Sequence, residues 1–98
     1  MKHSITLGLQ QITDLETLRT ELATAGDKAY GEAAEKSIKA FNLRIFEKTE
    51  IALDVSRAYL DEATRLEAEC DVLNDHGDKL MNQARIIHGI LSEIKRNG

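Results

Sequence analysis

Cys70, Asp71, Asp75, His76 and Asp78 are the densest group of potential metal ligands in the chain. Their spacing argues against a bound metal. Cys70 and His76 are six residues apart, which does not put them on one face of a helix. There is no second cysteine to share a tetrahedral site. A calcium loop beginning at Asp71 would need glycine one place earlier than Gly77, and glutamate where Asn82 stands. Cys70 is instead read as a small core residue, in phase with an apolar seam. No metal and no cofactor is expected.

Glu62, Glu67 and Glu69 could in principle act as paired acid and base. On a charged helix they are read as solvated surface groups. His88 follows an apolar seam residue and is read as half-covered by its own helix, although its titration range suits a pH-sensitive rim. The sequence shows no nucleophile with a base at a suitable spacing, no glycine-rich phosphate loop and no dinucleotide fingerprint. The expectation is a protein without catalytic activity.

The most informative side chains are apolar. Phe46, Leu53 and Leu60 are spaced by sevens and stand next to Ile45, Ala52 and Tyr59. With Leu43 they make a second apolar row beside the main one. Phe46, Leu53, Leu60, Leu43 and Tyr59 are therefore the expected protein interface.

A long helix must position these residues. From Gly31 to Leu73 there is no proline and no internal glycine. Apolar residues recur at Ala34, Ile38, Phe41, Ile45, Ala52, Val55, Tyr59, Ala63, Leu66, Cys70 and Leu73, mostly in steps of three and four. Thr13-Asp14-Leu15-Glu16 reads as a capping box. Leu15, Leu18, Leu22 and Ala25 follow as a narrow seam, and Gly26-Asp27 reads as a stop. Asn74-Asp75-His76-Gly77-Asp78 reads as a second stop, although Gly77 is also in phase with the seam. Leu80, Ala84, Ile87, Leu91 and Ile94 form the last seam. Their spacing is like that of a SNARE tail, but no central glutamine or arginine accompanies it.

The expected fold is all-α and forms a single domain. A long central helix over about 31–73 carries a shorter antiparallel helix at each end, over about 13–25 and 78–96. Residues 1–12 form an arm or a first turn. The alternative is a four-helix monomer, with the central helix broken near Lys48-Thr49. Glu32 with Lys36, Glu35 with Lys39, and Asp61 with Arg65 are expected as ion pairs along the helix.

The 98 residues carry a net charge of −4, which does not favour a nucleic-acid backbone as partner. The charge is blocked. Residues 14–35 and 50–78 are acidic, and residues 36–48 and 79–98 are basic. Antiparallel helices would lay one sign against the other. One cysteine and no long apolar run suggest a reducing, cytoplasmic setting, with signal-less secretion left open. The expected partner is a second copy of the chain, a helix of another protein, or both. The expected role is a small adaptor, chaperone or inhibitor. A subunit of a larger helical assembly and an acidic decoy for a nucleic-acid-binding protein are the alternatives.

Overall fold

The computed structural model describes residues 8–97. It is all-α, as expected, but the arrangement differs. Two helices, α1 (Leu9–Thr49) and α2 (Leu53–Asn97), fold back on each other as an antiparallel hairpin. The hairpin is a rod measuring 71 × 24 × 14 Å. Of the expected arm, Ile5 and Leu7 lie outside the described residues, while Leu9 and Ile12 belong to α1.

The single turn is at residues 50–52, inside the span expected to be the long central helix. Neither glycine or proline marks it. Backbone and side-chain hydrogen bonds make it instead. Glu50 leaves the helical region, with φ −81° and ψ 132°. Its carboxylate accepts from the N–H groups of Ile51 and Ala52, at 3.0 and 3.1 Å. The two N–H groups just ahead of α2 are thereby occupied. Across the turn, the Ser56 hydroxyl donates to the Glu47 carbonyl at 3.2 Å.

The expected stops at Gly26 and at Asn74–Asp78 are not stops. Both glycines are buried within continuous helices, and neither has a positive φ. They serve close approach. A Cβ at Gly77 would lie 2.7 Å from the Tyr30 ring. One at Gly26 would lie 2.8 Å from Met81 Sδ and 3.4 Å from the Gly77 carbonyl oxygen. Each glycine leaves room for a side chain of the facing helix, Met81 over Gly26 and Tyr30 over Gly77.

The expected capping box at Thr13 is also absent. The Thr13 hydroxyl donates to the Leu9 carbonyl one turn back, because α1 already runs through it. The helix begins after Gly8, whose N–H donates to Gln11 Oε1 at 2.9 Å.

A sevenfold repeat runs along each inner face. In α2 one row is Ser56, Ala63, Cys70, Gly77, Ala84 and Leu91, mostly small. The other is Tyr59, Leu66, Leu73, Leu80, Ile87 and Ile94, all large. All twelve are buried or half-buried. In α1 the centre of the seam is Gly26, Ala29, Ala33 and Ala40, all buried. Ala40 packs with Ala63 and Leu66, and Leu43 covers the group. The seam of α1 therefore departs from the expected one. Leu15 and Leu22 are on it, but Leu18 is 43 % exposed. The run Ala34, Ile38, Phe41 and Ile45 faces solvent.

Candidate protein-interaction site

Side chains turned away from the seam define the site. Ile38, Phe41 and Ile45 follow one another at steps of three and four, so they share a face of α1. They are 62, 65 and 45 % exposed. Phe46 lies on a different side of α1 and is exposed too. Its ring sits 6.0 Å from that of half-buried Tyr59, tilted by 47°. At and beyond the turn, Ile51, Leu53, Val55 and Leu60 are all exposed, Ile51 almost fully at 96 %. Among the described residues, eight of the twelve exposed large apolar side chains lie between positions 38 and 60. The other four, Leu9, Leu18, Val72 and Ile86, are scattered along the rest of the rod.

Of the five residues expected at an interface, Phe46, Leu53 and Leu60 are exposed. Tyr59 is half-buried against Phe46, and Leu43 is half-buried over the Ala40–Ala63–Leu66 cluster. Reading the sequence missed Ile38, Phe41, Ile45 and Val55 as surface groups, because their spacing is that of a seam. It also missed Ile51. The signal that could have found them is the parallel row Ala29, Ala33 and Ala40, which competes for the same helix.

The polar candidates are dispersed or engaged. Cys70 is half-buried in the seam, and its sulfur accepts from Asn74 Nδ2 at 3.6 Å. Asp71, Asp75 and His76 are exposed along the continuous α2. Asp78 accepts from the Tyr30 hydroxyl at 2.5 Å, and this bond above all holds the Tyr30 phenol above its usual range. The described residues contain no cluster of three or more His, Cys, Asp and Glu side chains suited to a metal ion. His88 Nδ1 lies 3.0 Å from Arg19 Nη1. A guanidinium only donates, so in this contact Nδ1 is the acceptor.

The three candidate carboxylates are tied to bases. Glu67 accepts two bonds from Arg44 across the seam, one of them from Nε at 3.1 Å. Glu69 takes Lys36 Nζ at 2.8 Å, also across the seam, and Arg65 Nη1 at 2.7 Å. Glu62 pairs with Arg65. The expected pairs along each helix do not form. Lys36 reaches Glu69 in place of Glu32, and Arg65 turns to Glu62 and Glu69 in place of Asp61. Antiparallel packing brings the basic stretch of α1 against the acidic stretch of α2, and the opposite charges meet across it.

These bonds hold all three carboxyls below the usual carboxylate range. The hydrogen bond from Arg44 is the main cause for Glu67, that from Arg65 for Glu62, and that from Lys36 for Glu69; desolvation opposes each. A carboxyl held below its unfolded value near 4.3 adds stability above that value. That stability is lost as pH falls through the lower, folded value. The midpoint of thermal unfolding is therefore expected to fall between about pH 5 and pH 3. The pairs are well exposed, so the fall should be modest and weaker in high salt. Glu67→Gln should flatten the profile; an unchanged slope would count against the Arg44 pairing.

Comparison with known protein families, with curated proteins and with solved structures finds no match. Among the described residues, no helix is long and apolar enough to cross a membrane.

Proposed function

We propose that this chain is a non-catalytic interaction module, docking through the turn end of its hairpin onto an apolar protein surface. One observation carries the reading: two thirds of the exposed large apolar side chains crowd into a stretch of 23 residues around the turn. Single exposed leucines need no explanation, but a concentration of exposed apolar side chains at one end of a rod marks an interaction surface. The outward face of α1 supports it further. Ile38, Phe41 and Ile45 are more apolar than the alanines that α1 turns toward α2. A helix that buries its weaker face internally keeps the stronger one for something else. The acidic-decoy reading draws less support, since Glu62, Glu67 and Glu69 are neutralised by Arg65, Arg44 and Lys36.

A photo-crosslinking side chain at position 41 tests the proposal, with one at position 86 as comparison. Both replace exposed apolar residues far from the seam. In native cell extract, discrete adducts are expected from position 41 and not from 86. Equal, diffuse labelling from both would reject the turn end as a docking site.

A further inference from the structure

We propose that the groove lined by Arg19, Arg85 and His88, far from the turn, binds the phosphate group of a small phosphomonoester with an apolar body. At 1.5 Å per residue Arg19 lies about 45 Å along the rod from Glu50. The proposal therefore stands apart from docking at the turn end.

Unmatched charge is the first argument. Elsewhere each cation that crosses the seam meets an acid, Lys36 at Glu69 and Arg44 at Glu67. Arg19 differs. It stands in the sevenfold row Ile12, Arg19, Gly26, Ala33 and Ala40 of α1, so it is turned toward α2 and half-buried. Its hydrogen bond is to an imidazole, His88 Nδ1 at 3.0 Å, and it has no ion pair among the described residues. Removing a guanidinium from water costs free energy that a neutral acceptor offsets less than an anion does. Arg85, from the facing helix, lines the same groove and has no ion pair either. Asp27 is the one acid lining it, eight residues and so about 12 Å along α1 from Arg19. The two arginines repel each other, and an anion beside both removes that repulsion.

Donors are the second. His88 takes one N–H of Arg19 and fixes the plane of the guanidinium, and the rest of the fork is free to donate. Thr24 also lines the groove. The hydroxyls of Thr13, Thr20 and Thr64 donate to the carbonyl four residues back, whereas that of Thr24 makes no hydrogen bond among the described residues. A carboxylate brings a single charge. A phosphomonoester brings close to two, on about three acceptor oxygens. Two guanidiniums from opposite helices and a free hydroxyl suit the second.

Size is the third. The groove holds about 430 Å³, more than an oxyanion fills, and Ala23, Met81 and Ala84 line it beside the polar groups. They offer an apolar wall to the body of the ester.

Phenyl phosphate is the probe, titrated into the full chain near pH 7.5, where a phosphomonoester carries close to two charges. Calorimetry should give saturable one-to-one binding. Amide chemical shifts should move at Arg19, Thr24, Arg85 and His88 and stay fixed at Ile51 and Leu53. Arg85→Gln and Arg19→Gln should each weaken binding at least tenfold, with helicity by circular dichroism unchanged. Arg85 is exposed, so its variant decides the matter even if Arg19→Gln disturbs the seam. Arg57→Gln, at an exposed arginine near the turn, should leave affinity unchanged. Inorganic phosphate should bind several-fold more weakly than phenyl phosphate, and benzoate at least tenfold more weakly. No saturable shift up to about 10 mM phenyl phosphate overturns the proposal, since binding weaker than that is not specific recognition. Equal weakening by Arg57→Gln and Arg85→Gln overturns it as well, by making the attraction general. Benzoate bound as tightly as phenyl phosphate rejects phosphate as the ligand.

Discussion

Ala63→Leu is expected to destabilise the hairpin by about 3 kcal/mol, at the upper end of what overfilling a packed site does. Ala63 has no exposed surface and packs against Ala40 and Leu66. Three added carbons have nowhere to go. The helices would have to move apart, and the contacts of Leu43 and Leu66 would be lost with the fit. Ala68→Leu on the exposed face of the same helix is the control. Leucine and alanine differ little in helix propensity, so that change should stay within about 0.5 kcal/mol. Urea unfolding with an unchanged slope measures both. Equal midpoints for the two variants would mean that the seam does not run through Ala63.

Leu66→Ala should cost about 2–4 kcal/mol, from lost apolar transfer and from the cavity left beside Ala40 and Ala63. Leu66 is 6 % exposed, while Val72, less than two turns along the same helix, is 68 % exposed. Val72→Ala should change stability by no more than about 0.5 kcal/mol, since alanine is the better helix former. The contrast should be measured at one protein concentration, because association stabilises by mass action. A Val72→Ala loss as large as that of Leu66→Ala would place Val72 in a contact of its own.

The all-helical class was legible from the unbroken periodicity, and so was most of the inner face of α2. Tyr59, Ala63, Leu66, Cys70 and Leu73, then Leu80, Ala84, Ile87, Leu91 and Ile94, fall on the seam in the register that their spacing implies. The topology was legible only in the alternative that broke the central helix near Lys48-Thr49, beside the end of α1 at Thr49, and even that alternative kept four helices in place of two. Glycine usually stops a helix because it is flexible, but Gly26 and Gly77 are there for their lack of a side chain, at a point of close backbone approach. The real turn is built by Glu50, whose carboxylate stands in for the missing helical acceptors, and no composition signal announces that. The seam of α1 was misplaced because two rows compete. Hydrophobicity favours Ile38, Phe41 and Ile45. Close packing favours Gly26, Ala29, Ala33 and Ala40, and in the hairpin it wins. The interface residues were legible in part: Phe46, Leu53 and Leu60 stand in the exposed row, but the larger share contributed by α1 had been assigned to the core.

The cross-seam bonds are graded in sequence separation. Ser56 and Glu47 are 9 residues apart, Arg44 and Glu67 are 23, Lys36 and Glu69 are 33, Tyr30 and Asp78 are 48, and Arg19 and His88 are 69. Closing a loop becomes costlier as it lengthens, so the bond nearest the turn is the cheapest to form from an open chain. Once it forms, each next pair has only a short additional loop to close. The hairpin thus has the logic of a zip with its slider at Glu50–Ala52. Low contact order at one end gives way to high contact order at the other, and folding speed depends on which contacts come first. The apolar turn end is then the earliest part to assemble, and it can present its outward side chains while the Arg19–His88 end is still apart.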